Sequence, residues 1–105
     1  MSGVTFSAYP FETRCSLKEQ ADKVLEEAAE LFNEAERSRK RHGEDYNVTW
    51  LEDEAADVIT ATLNLVWLVW RKEEGEFGLA DLEDTMAWAM ERCRDKNERR
   101  GRYPR

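Results

Sequence analysis

The chain has 105 residues, 41% of them hydrophobic, 10% aromatic and 37% charged, which is apolar material for one compact domain and excludes a disordered or fibrous chain. A formal net charge of −7 argues against a general nucleic-acid binder, because affinity for phosphate backbones comes from Lys and Arg. Cys15 and Cys93 stand far apart with no CxxC and no histidine at ligand spacing, so neither a zinc site nor a disulfide framework is signalled, and a reduced, cytoplasmic setting is expected.

The first fifteen residues, with Phe6, Tyr9 and Phe11, read as an N-terminal arm with at most a short extended piece from Val4 to Phe11, and they carry no basic lead into an apolar run. Ser16-Leu-Lys-Glu19 has the form of a capping box, in which the Ser hydroxyl accepts a free backbone N–H and the Glu side chain reaches back to the cap. A helix of about 25 residues is predicted from there to the basic run before Gly43, with Leu17, Ala21, Val24, Leu25, Ala28, Leu31, Phe32 and Ala35 as its apolar stripe. His42 falls in the charged loop that follows, where a solvated role is expected.

Thr49-Trp-Leu-Glu52 repeats the capping pattern, and no Pro or Gly interrupts the chain until Gly75, so a second long helix is predicted. Its stretch Val58 to Trp70 is apolar on nearly every face, as suits a helix surrounded by others, yet is too short to span a bilayer. After Gly75 and Gly78 a third helix is predicted from Leu79 to about Glu98, ending near Gly101. The expected fold class is all-α, a single domain over residues 1–105, with core positions for Trp67, Trp70 and Trp88. Three helices cannot enclose a helix that is apolar all round, so a homodimer or homotetramer completing a four-helix core is expected.

Charge is unevenly spread. Residues 92–105 hold seven basic side chains against two acidic ones, a local balance of +5 that leaves −12 for the rest. Glu27 and Glu30 lie one turn apart on the first helix, and Glu54 and Asp57 do so on the second. The first pair flanks the apolar stripe, and an antiparallel pairing of the two helices brings the pairs face to face. Like charges held close in a partly dry cleft are unfavourable unless a cation neutralises them. Oxygen donors without His or Cys favour Mg2+ or Mn2+, and magnesium commonly binds together with substrate phosphates. Asn64, in the middle of the apolar run, needs a partner; the substrate pocket, two turns beyond Asp57, and a partner across the dimer are both open.

Glu26-Glu27-Ala-Ala-Glu30, a gap of 23 residues, and Glu54-Ala-Ala-Asp57 resemble the ExxE…ExxD signature of the MazG-like all-α nucleoside triphosphate pyrophosphohydrolases. The ending Asn97-Glu-Arg-Arg-Gly-Arg-Tyr103-Pro104 is similar to that of the dCTP pyrophosphatase branch. The resemblance implies Mg2+-dependent hydrolysis of a nucleoside triphosphate to monophosphate and pyrophosphate, with the metal held by Glu27, Glu30, Glu54 and Asp57. It also implies a dimer or tetramer. Lys96, Arg99, Arg100 and Arg102 are the candidates to stabilise the leaving pyrophosphate, with Asn97 and Tyr103 to orient the substrate. Arg92 and Arg94 suit the helix end instead.

Trp50, Phe6, Tyr9 and Phe11 are aromatic positions that either pack in a core or interface or enclose a base. Among the carboxylates Glu30 is the candidate nearest the attacking water. Two other readings stay open: a phosphoribosyl-ATP pyrophosphohydrolase-like enzyme, against which the Asn…Tyr-Pro ending argues, and a helical oligomerisation module without turnover.

Overall fold

The computed structural model describes residues 3–40 and 49–104. Three helices make up the regular structure there: α1 (Leu17–Lys40), α2 (Thr49–Glu74) and α3 (Leu79–Arg99), and no strand occurs among the described residues, the arm included. The fold is all-α. The turn expected at Gly43, with His42, lies outside the described residues.

The starts and stops have local causes. At the head of α1 the Ser16 hydroxyl accepts the Glu19 N–H at 3.1 Å while the Glu19 carboxylate accepts the Ser16 N–H at 3.1 Å, the reciprocal bonds of a capping box. The Ser16 backbone N–H, and after it the Ser16 hydroxyl, hold the Glu19 carboxyl below its ordinary value. At the head of α3 the Asp81 carboxylate accepts the Gly78 N–H at 2.8 Å. Helix α2 ends where Gly75 turns to φ +80°, a left-handed conformation that a glycine takes without strain.

α1 and α2 pack as an antiparallel hairpin, whereas α3 makes few close backbone contacts with it and buries one side chain fully, Leu82 near its start. The seam of the hairpin follows the alternating three- and four-residue steps of a coiled-coil contact. On α1 these steps run through Gln20, Lys23, Glu27, Glu30 and Glu34, and on α2 through Glu54, Asp57, Ala61, Asn64 and Leu68. The buried residues of α1 are Gln20, Glu27 and Glu34, all polar.

The apolar stripe expected to form the α1 contact therefore needs correction. Leu25 and Phe32 are 70% and 64% exposed, because at 3.6 residues per turn they point about 160° and about 140° away from Glu27. The same holds for Trp88, expected in the core and 73% exposed on α3. Trp67 is buried as expected and donates its indole N–H to the Phe77 carbonyl at 2.7 Å, while Trp70, also expected in the core, is 37% exposed at the surface and stacks on the Phe77 ring at 5.5 Å.

The arm is fastened to the middle of α2 at three points. The buried Asn64 Oδ1 accepts the Phe11 N–H at 2.8 Å, and Arg71 donates to the Thr13 carbonyl at 2.8 Å and pairs with Glu12 at 2.9 Å. The Asn64 amide oxygen thus has a partner within the chain, in the arm.

Candidate metal centre

Antiparallel packing sets the acidic end of the α1 seam against the first turns of α2. One carboxylate oxygen from each of Glu27, Glu30 and Glu54 lies within 4.8 Å of the other two. Glu27 is buried at 8% exposure, Glu54 half-buried and Glu30 exposed, so the group is closed on the helix side and open to solvent at Glu30.

These oxygens are incompletely satisfied. Glu27 Oε1 pairs with Lys23 Nζ at 2.9 Å, whereas Glu27 Oε2 and Glu54 Oε2 are both buried without a hydrogen-bond partner. A buried polar atom left unpaired costs about 1–3 kcal/mol, more when charged. The nearby negative charge of Glu27, then loss of solvent, then Glu54 raise the Glu30 carboxyl above its ordinary value. Orphaned oxygens facing repulsion of this kind fit a hard divalent cation, which takes oxygen donors alone. Glu27, Glu30 and Glu54 are the residues that would hold it.

Asp57 is not part of the three-oxygen group. It lies 60° round the helix from Glu54 and its side chain is one methylene shorter, and it lines the adjoining groove instead. That groove, of about 290 Å3, is walled by Phe11 and Thr13 of the arm, Gln20, Lys23 and Glu27 of α1, and Asp57, Thr60, Ala61 and Asn64 of α2. Gln20 braces it by donating to the Ala61 carbonyl at 3.0 Å, and the Thr13 hydroxyl is buried there without a partner.

Of the expected substrate-binding residues, only Asn64 lines the groove. Lys96, Asn97, Arg100, Arg102 and Tyr103, at the far end of α3 from its buried Leu82, do not. Asn97 donates to Cys93 Sγ at 3.5 Å within its own helix, and its carbonyl accepts the Arg102 N–H at 3.0 Å. Trp50, half-exposed at the head of α2, and the exposed Phe6 and Tyr9 also lie outside the groove wall; Phe11 is the arm aromatic that reaches it.

Gln20, Lys23 and Thr13 were not singled out from the sequence. The three–four spacing that runs from Gln20 through Glu27 to Glu34 was the available signal for the first two. Both cysteines are free. No helix among the described residues is long and apolar enough to cross a membrane. Comparison of the chain with known protein families, with curated proteins and with solved structures gives no match.

Proposed function

We propose that the chain is a Mg2+-dependent nucleoside triphosphate pyrophosphohydrolase that releases pyrophosphate and a nucleoside monophosphate, as its ExxE…ExxD resemblance implies. The observation that carries the reading is the convergence of Glu27, Glu30 and Glu54 with two buried, unpartnered carboxylate oxygens, beside a groove open to a ligand.

A divalent cation at this centre supplies charge withdrawal from the phosphates and acidifies water. The residues of the chain do the rest. Glu27 and Glu54, held in the seam, fix the position of the centre. Glu30, the solvent-exposed member, accepts the proton of the attacking water as its oxygen bonds to the α-phosphorus. The bond from that phosphorus to the bridging oxygen breaks, and pyrophosphate leaves with the electron pair. Asp57 faces the groove one turn further on, placed to orient the water or a second cation.

The exposed apolar residues of α1 and α3 support assembly with further copies of the chain, through which the basic tail of one copy would reach the groove of another.

The test is incubation with Mg2+ and each common dNTP and NTP, with phosphoribosyl-ATP included. Pyrophosphate and a monophosphate are the expected products. Orthophosphate as the first product refutes attack at the α-phosphorus, and cleavage of phosphoribosyl-ATP alone favours that narrower enzyme. No cleavage, together with no rise in melting temperature on adding Mg2+ or Mn2+, removes the enzyme reading in favour of a helical module.

A further inference from the structure

Resting on that reading, we propose that Lys23 grips the substrate's polyphosphate in the groove, and that its ion pair with Glu27 is the resting position from which it does so. A polyphosphate laid beside three carboxylates needs protein cations as well as metal, because charge gathers on the departing phosphates. The basic tail of the same chain does not line the groove. Among the described residues that line it, Lys23 is the only cation.

The geometry suits the task. Lys23 sits one turn before Glu27 on the α1 seam, with its Nζ 2.9 Å from Glu27 Oε1 and 3.9 Å from Glu26. Half of its side chain is exposed, so packing does not lock the stem. An ammonium has three donors on a flexible chain, and one bond to Glu27 leaves two for phosphate oxygens. A cation sharing the charge of Glu27 would loosen the pair and free Nζ for the groove that Lys23 already lines.

A competing role is purely structural, in which Lys23 only neutralises the buried Glu27. Calorimetric titration of the full chain with inorganic tripolyphosphate in Mg2+ separates the two, with Mn2+ titration run alongside. Lys23→Met is expected to weaken tripolyphosphate binding about tenfold or more, and Lys23→Arg to stay within about threefold of the wild type. Mn2+ affinity of Lys23→Met should be unchanged or tighter, since a competing cation has gone. If Lys23→Met fails to fold, Lys23→Gln carries the same comparison, because it keeps a donor for Glu27 without the charge.

Wild-type affinity for tripolyphosphate in the neutral variant overturns the proposal, as does a wild type that binds none. Nucleotide cleavage is read separately. A chain that binds tripolyphosphate through Lys23 and cleaves no nucleotide keeps this inference and loses the function proposed above, while cleavage with an indifferent Lys23 does the reverse.

Discussion

The two ends of the hairpin seam obey the same three–four spacing and differ in the polar groups they bury. Towards the middle and far end of α2, Gln20 is bonded to the Ala61 carbonyl, Asn64 to the Phe11 N–H, Trp67 to the Phe77 carbonyl and Arg71 to the arm; what stays unpartnered there is the Thr13 hydroxyl and Nε of a guanidinium already bonded through its other two nitrogens. At the near end, Glu27 and Glu54 each leave a buried oxygen without a partner, and Glu30 stands beside them under repulsion. Polar groups inside one helix pair thus serve two ends: bonded across elements, they specify how the chain folds; carboxylates gathered with unpartnered oxygens mark where a cation would bind.

The largest effect should come from breaking the open end. Glu30→Gln is expected to lower kcat/KM with the best nucleotide by roughly a thousandfold, measured by pyrophosphate release, with helicity by circular dichroism unchanged. Asn64→Ala breaks the satisfied end. It strips the Phe11 N–H of its acceptor and empties a site only 3% exposed, so a loss of about 1–3 kcal/mol is expected in urea unfolding, with Mn2+ affinity retained. Should both variants lose metal affinity equally, the division between the ends is wrong.

Ser16→Ala removes one half of the capping box and should cost about 1 kcal/mol by the same measurement, without effect on the centre. The smallest effect is electrostatic. Because the folded Glu30 carboxyl titrates above its unfolded value, folding takes up a proton between the two, and the metal-free protein loses stability as pH rises through that window. Glu30→Gln should therefore melt at least as high as the metal-free wild type above the window, and its advantage should vanish below it. Melting scans with chelator across the carboxylate range check the sign.

Much of the architecture was readable from local rules. The Ser16 box, the uninterrupted run from Thr49 to Glu74 and the glycine stops at Gly75 and Gly101 set the helices, and the paired acids marked the centre. What escaped was which face meets which neighbour. Hydrophobicity ranked Leu25 and Phe32 as the inner face of α1, yet among the described residues α2 is the helix packed closely on it, and the polar seam occupies the contact. The place of Asp57 likewise depended on a 60° turn and one methylene. The clasp at Phe11, Glu12 and Thr13 joins residues more than fifty positions apart, beyond the reach of periodicity.

The four tryptophans occupy four different surroundings, and this makes the protein its own optical probe. Trp67 sits in a dry, hydrogen-bonded site, Trp70 lies against a ring, Trp50 stands half-open at the head of α2 and Trp88 faces water. Acrylamide should quench the emission of Trp88 readily and that of Trp67 hardly at all. A dilution series of a variant with phenylalanine at the other three positions then reports, through the shielding of one indole, the concentration at which another surface covers α3.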